Sequence, residues 1–532
     1  MTTPEVDSLA DADDLLASAR AAVQVAQQVI QTGIATAKAS GTAEHDQQLV
    51  YSLAHAASAA AMSESALGYA ELGETEARLA HVFIGRQLSE LASMLWARSS
   101  DWGVAPTALD ATRDYAALVT APDFVSAVAS AGGSAHLADD LEMVATTFRQ
   151  FANERIAPHA EHIHRQDLDI PQEIIDGVAE LGCFGLSIPQ EYGGSASGSE
   201  DDYMAMVIAT EELSTASLGA GGSLITRPEI LARAIEAGGT DEQKQRWLPS
   251  IASGETLCAV AVTEPDYGSD VANLKVTATK EDQGWRINGV KTWCTFAGRA
   301  NALMVLARTN QDPSAKHRGL SLFVVDKPSD EGHSFRHELD GGTLEGRAIP
   351  TLGYRGMHSY EVSFSDWLVP AENMIGGDEG LGRGFYLQMA GFENGRIQTA
   401  ARAVGVMQRA WEVATEYANE RKVFGSPIAD YQLTQIKLGT MAAIIQVSRQ
   451  YAYEVARKMA NGDGALEAAM AKAYVCKAAE WVTREALQIH GGMGYAEEFE
   501  VSRLFVDARV LSIFEGADET LCLKLIGRRL LA

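Results

Sequence analysis

The sequence predicts an α+β chain of several domains, with blocks of helix on either side of one strand-rich block. Three observations predict it. Residues 5–105 hold no proline and repeat apolar side chains at helical spacing. Residues 258–375 switch to short runs such as ALMVLART and LSLFVVDK, bounded by turn residues. From about residue 380 long helical runs return, beginning with FYLQMAGFENGRIQTAARAVG. The 532 residues, at about 100–200 per domain, divide accordingly into a helical extension (1–137), a helical domain (138–257), a middle β-domain (258–375) and a C-terminal α-helical domain (376–532).

The extension carries LLASARAAVQVAQQVIQTGI and ETEARLAHVFIGRQLSELASMLWAR, which read as a bundle of three or so long helices. Its opening, MTTPEVDSLADADDLL, is acidic where a signal peptide is basic and lacks the Arg-rich pattern of a transit peptide, so a cytoplasmic location is expected. Pro106, Pro122 and AGGSAH at 131–136 mark a linker. Helical pattern resumes in LADDLEMVATTFRQFANERIAPHAEHIHRQ, where Pro158 breaks or kinks the helix, and continues over 201–215, 227–238 and 241–252. The strand block leaves little room for crossover helices, so its sheet is expected to be mainly antiparallel. Asn288-Gly289 reads as a two-residue hairpin turn, and 329–350 as a long polar connection. In the last domain Pro427 reads as the first turn of a helix, and Gly491-Gly492 as a helix stop.

Composition excludes several functions. Forty-three basic against 71 acidic residues leave −28, which argues against a nucleic-acid partner. No apolar run approaches the ~18 residues of a membrane span. The five cysteines are scattered without a CxxC pair or a His/Cys set at zinc spacing, so neither disulfides nor a metal are expected.

Four segments hold chemistry-bearing residues. TEPDYGSD (263–270) leaves a strand with Gly268 and Ser269 able to approach a ligand. KTWCTFAG (291–298) sets an aromatic among hydroxyls, suited to a flat ring. QIHGGMGY (488–495) ends a helix in paired glycines that admit a phosphate. IFEGADET (513–520) places Glu515 among Ile513, Phe514 and Gly516, where partial desolvation favours a general base. Singly these also read as a turn, a packed Trp, a helix stop and a surface acid.

Together with FENGR (392–396), ERKVFG (420–425) followed by Gln432, and RLFVDARVLSIFEG (503–516), their order and separation identify a resemblance to the flavin-dependent acyl-CoA dehydrogenases over roughly 138–532. The resemblance implies FAD as cofactor, an acyl-CoA substrate and an electron-transfer flavoprotein as partner. It implies that Val262, Thr263 and Ser269 line the flavin and CoA, that Trp293 packs on the isoalloxazine ring, and that Thr295 bonds near its N5. Arg421, Phe424, Gln432, Gln488, Gly491 and Gly492 match residues that reach the FAD of a neighbouring subunit, which requires at least a dimer. Ala517 and Glu519 fall at further cofactor positions, with Ala517 standing where a Thr is usual. Glu515 matches the catalytic base. The alternative base position of some members is Gly395 here, and glycine cannot act as a base. Ser269, Glu393, Arg396 and Gly516 match substrate positions.

The extension, GSLITRPEI (222–230) and TLGYRGMHSYEVSF (351–364) depart from the commoner pattern and resemble members whose acyl group carries a second carboxylate. Such a group needs a cation or several donors when buried. Arg227 is the first candidate and His358 the second. The extension is expected to cover the surface other members use to form tetramers, leaving a homodimer. Competing readings are a glutaryl-type or other short- or branched-chain dehydrogenase, an acyl-CoA oxidase, and a non-catalytic DNA-protecting flavoprotein. The negative balance and the presence of Glu515 argue against the last.

Overall fold

Alanine-rich, proline-free sequence produces three long N-terminal helices, α1 (Leu9–Ser40), α2 (Gln47–Ala70) and α3 (Glu74–Leu95). The computed structural model describes residues 9–41 and 45–532, so residues 1–8 of the acidic opening stretch lie outside the described residues. Asp46 caps α2, accepting the Leu49 N–H at 2.9 Å. Two short helices follow, α4 (Arg113–Val119) and α5 (Pro122–Ser126). The linker is tied down on α3: Glu76 accepts the Ser134 N–H at 3.3 Å and meets His136 Nε2 at 3.0 Å.

The chain forms two compact units. One comprises Asp139–Gly405 with Met459–Gly462. It opens with α6 (Asp139–Phe151), a π-turn at Ala152–Ile156 and α7 (Ala157–Gln166). Pro158 therefore starts α7, where its missing N–H costs nothing. Helices α8 (Gln172–Glu180), α9 (Glu200–Ala216), α10 (Thr226–Gly238) and α11 (Asp241–Ala252) complete the helical part. The strands are β1 (Cys258–Ala261), β2 (Thr277–Glu281), β3 (Gly284–Thr295), β4 (Ala302–Arg308), β5 (Leu320–Asp326), β6 (Ser334–Leu339), β7 (Gly342–Ile349) and β8 (Ser359–Pro370). They pair in the order β1-β4-β2-β3-β8-β7-β6, with β5 also on β4. Pairing is antiparallel except that β1 runs parallel to β4 and Thr277 bridges Arg308 in parallel. Helix α12 (Gly384–Glu420) begins in this unit.

Two assignments in the strand block are corrected, one turn and one connection. Asn288-Gly289 is not a hairpin turn. It lies inside β3, which pairs with β2 on one side and β8 on the other, and the ladder to β8 shifts register between Ile287 and Gly289. Gly289 has φ +129°, and a Cβ there would stand 2.8 Å from Val276 Cγ2, so the glycine serves a bulge. The hairpin turns instead at residues 282–283. The polar connection 329–350 is largely the β6–β7 hairpin, turning at Asp340 (φ +49°) and Gly341 (φ +78°), an Asp-Gly pair suited to a type I′ turn.

The other unit joins the extension through Ala138 to Val406–Lys458 and Asp463–Ala532. After α12 the chain makes a small ribbon, β9 (Lys422–Val423) and β10 (Ser426–Pro427), then α13 (Gln432–Ala460), α14 (Ala465–His490), α15 (Glu500–Leu511), α16 (Asp518–Thr520) and α17 (Gly527–Leu530). Pro427 thus belongs to the ribbon rather than to a first helical turn, a second position where its N–H is dispensable. The extension shares a core with these helices: Ala54 of α2 is buried with Ala469, Met470, Ala473, Leu521, Cys522 and Ile526.

His81 on α3 is buried, with Nδ1 2.9 Å from the Tyr115 hydroxyl. Burial, helped by the charge of Arg78, pushes its pKa down to about 4 from 6.5. The folded unit refuses a proton that the unfolded chain accepts, so this stability is intact above pH 6.5 and is lost as pH falls toward 4. Linkage sets the loss at about 3 kcal/mol. Thermal melts between pH 7 and 4 should show a steeper decline for the parent than for His81→Gln, and parallel declines would refute the assignment.

Candidate active site

The strand end at β1 and the last turn of β3 are fixed to one another by a buried ion pair. Lys291, fully buried, places Nζ 2.9 Å from Glu264 Oε1 and 2.9 Å from the Val262 carbonyl. Glu264 also accepts the Lys275 N–H at 2.7 Å and the Val276 N–H at 2.8 Å. The Thr292 N–H donates to the Thr263 carbonyl at 2.8 Å. Val262 is buried, Thr263 half-buried, and Ser269 exposed in the turn beyond.

Next to this anchor the β3–β8 ladder shifts register between Lys291 and Cys294. The bulge gives Trp293 a φ of +57° and turns it outward, 55% exposed. A left-handed backbone at a bulky residue costs about 1–2 kcal/mol, and here it presents an indole that packing would otherwise hide. Thr295 is buried with its Oγ1 3.0 Å from Ser359 Oγ. A projecting aromatic beside a hydroxyl on a rigid strand fits the planar, hydrogen-bonding ring of a flavin.

On α12, Glu393 is half-buried, while Gly395 and Arg396 are buried. Arg227 on α10 is only 6% exposed, so it is an interior cation rather than a surface one. His358 is corrected. Its Nδ1 lies 3.0 Å from Asp169 and its Nε2 3.3 Å from Asp167. Burial lowers its pKa, yet these two carboxylates more than offset that and the net shift is upward. A ring committed to two acids has no donor left for a substrate carboxylate.

Sequence reasoning missed Gln388. It is completely buried on α12, and neither amide atom has a hydrogen-bond partner among the described residues. Gln388 precedes Gly395 by seven residues, so the two share one helix face. A buried amide left idle costs about 1–3 kcal/mol, which marks a place for a polar ligand group. The available signal was a polar side chain two turns ahead of Gly395.

In the other unit Glu515 follows α15, half-buried, with φ +54°, and Gly516 continues at φ +102°. The Asp518 N–H closes this loop onto the Ser512 carbonyl at 3.1 Å. Lys472 Nζ donates to the Gly516 carbonyl at 2.5 Å. Ala517 is half-buried and Glu519 exposed. Arg421 and Gln488 are exposed, and Phe424 is 97% exposed at the tip of the β9–β10 ribbon. Gln432 is exposed, with its amide 3.3 Å from Asp123. A Cβ on Gly491 or Gly492 would meet nothing within 4 Å, so these glycines leave open space rather than satisfying close packing.

Three family models match in succession: the acyl-CoA dehydrogenase N-terminal domain over residues 138–255, its middle domain over 259–367 and its C-terminal domain over 382–531. The chain is 45% identical over 402 residues to (2S)-methylsuccinyl-CoA dehydrogenase of Cereibacter sphaeroides, covering 75% of this chain and 71% of that protein. It is similar in structure to butyryl-CoA dehydrogenase of Megasphaera elsdenii (TM-score 0.68, 31% identity, 75% of this chain and 99% of that one). It is also similar to a glutaryl-CoA dehydrogenase of Mycobacterium smegmatis solved in complex with FADH2 (TM-score 0.64, 26% identity, 74% of this chain and 95% of that one). No helix among the described residues is long and apolar enough to cross a membrane. The chain belongs to the acyl-CoA dehydrogenase family, FAD-dependent oxidoreductases that act on the CH–CH bond of acyl-CoA thioesters.

Proposed function

We propose that the chain oxidises (2S)-methylsuccinyl-CoA to mesaconyl-CoA, passing electrons to an electron-transfer flavoprotein, in the ethylmalonyl-CoA pathway of the cytoplasm. The observation that carries the choice of substrate is the 45% identity over 402 residues to a methylsuccinyl-CoA dehydrogenase. The interior cation Arg227 and the idle amide of Gln388 support it, because a substrate with a second carboxylate needs such groups once desolvated.

Val262, Thr263, Ser269, Trp293 and Thr295 would hold the FAD, Ala517 and Glu519 are further cofactor positions, and Arg421, Phe424, Gln432, Gln488, Gly491 and Gly492 would reach the FAD of a neighbouring subunit. When bound, FAD supplies the hydride acceptor that no side chain can provide. Glu515 takes the proton from Cα of the thioester as the hydrogen on Cβ departs with its electron pair. Negative charge then gathers on the thioester oxygen, toward which the Glu515 N–H donates. Glu393, Arg396 and Gly516 shape the substrate site.

Anaerobic titration of the holoprotein with a panel of CoA thioesters tests the reading: methylsuccinyl-CoA should bleach the flavin at micromolar levels, and bleaching by another thioester alone would overturn it. Arg227→Met should depress kcat/KM for methylsuccinyl-CoA by about a hundredfold, the scale of a lost charge-assisted pair at ~1.4 kcal/mol per decade, while a plain branched thioester changes little. Equal losses on both would remove Arg227 from that role. The extension leaves the chain a homodimer; light scattering that gives a tetramer's mass would contradict this.

A further inference from the structure

We propose that Tyr51 and His55, on helix α2 of the N-terminal extension, are positioning residues that hold the base-bearing loop in its working shape through Asp518. This rests on Glu515 being the base.

The loop from Ser512 to Asp518 is strained. Glu515 at φ +54° is a non-glycine residue in the left-handed region, a state costing about 1–3 kcal/mol that persists only where its surroundings fix it. Three anchors do so. At the front, Ser512 Oγ receives Arg509 Nη1 at 2.9 Å and bonds Glu480. In the middle, Lys472 holds the Gly516 carbonyl. At the rear, Asp518, 6% exposed, closes the loop with its N–H and is itself held by its carboxylate. The Tyr51 hydroxyl donates to Oδ2, His55 Nε2 lies 3.1 Å from the same oxygen, and Lys477 Nζ stands 3.8 Å away.

The first two anchors come from α14 and α15. The third comes mainly from the extension, 463–467 residues away in sequence. Burial raises the Asp518 pKa, but the bonds from His55 and Tyr51 more than offset it and the net shift is downward, so the anchor stays charged. The network supports itself: Lys477 Nζ donates to the Tyr51 hydroxyl at 2.7 Å, and the Tyr51 and His55 rings meet edge to face at 4.7 Å. On the other side both rings line a cavity of about 290 Å³ with Gln87, Tyr474 and Trp481. Tyr51 also packs against the buried cluster that includes Ala54, Leu521 and Cys522, so on the cavity side it is the hydrogen bonds to Asp518 that orient the polar ends of the two rings. The extension is in this way part of the catalytic apparatus rather than only a covering.

The test is the double variant Tyr51→Phe/His55→Leu in the full-length holoprotein. Flavin content and KM should stay within about twofold. The kcat should fall about tenfold or more, as displacement of a reacting group by a fraction of an ångström does. The primary isotope effect with an α-deuterated thioester should rise, and amide exchange over 512–521 should quicken. His55→Gln, which keeps a donor, should recover most of kcat. A folded, flavin-loaded double variant with unchanged kcat and isotope effect would overturn the proposal. Should the double variant fail to fold, Tyr51→Phe alone serves, with an expected fall of about threefold and the same isotope signature; no change there would equally overturn it. Glu515→Gln run in parallel separates the failures. Retained turnover in Glu515→Gln sinks the base assignment, whereas a dead Glu515→Gln beside a normal double variant sinks only the role of Tyr51 and His55.

Discussion

Glu515→Gln should abolish turnover, by about 10⁴-fold in kcat, the upper range for removal of a positioned general base. At ~1.36 kcal/mol per decade this is about 5 kcal/mol of barrier. The substitution is nearly isosteric and leaves the φ of +54° at residue 515, the Lys472 contact to Gly516 and the Asp518 closure in place. Substrate should therefore still bind, shifting the flavin spectrum without bleaching it. Rapid anaerobic mixing with the thioester reads both events. Glu515→Asp, shorter by one methylene, should fall between the two, because reach rather than charge is lost. Bleaching of Glu515→Gln at the parent rate would show that the proton leaves by another route.

The helical blocks were legible because their apolar period extends over many turns, and each long run from 9 to 95 and from 384 to 490 formed a helix. Turns were less legible, for a specific reason. Asn288-Gly289 and Asp340-Gly341 are chemically equivalent, each permitting positive φ, yet one is a bulge within a strand paired on both sides and the other a true turn. Which occurs depends on what the flanking residues pair with, β2 and β8 around Asn288-Gly289 but β6 with β7 around Asp340-Gly341, and the dipeptide itself carries no trace of that pairing. Candidate site residues could be picked out by motif: Trp293, Glu515 and the Gly491-Gly492 pair stand near the ends of elements that are readable locally. Their supports could not. His358 meets acids 189 and 191 residues away, and Asp518 meets Tyr51 across 467. No spacing rule encodes such partners. The glutamate of TEPDYGSD and the lysine of KTWCTFAG were both inside motifs, but nothing in either motif showed that they were partners.

Those two residues carry the largest expected loss of stability. In Lys291→Met the ammonium is replaced by an apolar group of similar length, and Glu264, 5% exposed, is left buried without its partner. It keeps two backbone N–H donors, from Lys275 and Val276, but loses the countercharge of Lys291 at 2.9 Å. Burial lowers the Lys291 pKa more than Glu264 raises it, which shows how far desolvation weighs in this position. Breaking one side of such a pair costs about 3–5 kcal/mol, whereas replacing both partners is often close to neutral. The single variant should thus melt several degrees lower, and Lys291→Met/Glu264→Gln should regain part of that loss, since the buried charge is gone and the amide oxygen still accepts one of the two backbone donors, which the carboxylate takes on separate oxygens. The damage should also reach the cofactor. Lys291 holds the Val262 carbonyl, and the next residue's N–H holds Thr263, so the Trp293 bulge loses its footing with the pair. After gel filtration the single variant should retain less flavin per protein than the double variant, measured by absorbance ratio. Equal melting of the parent and Lys291→Met would mean that water or a backbone shift relieves Glu264, and the pair would then be dispensable to the site.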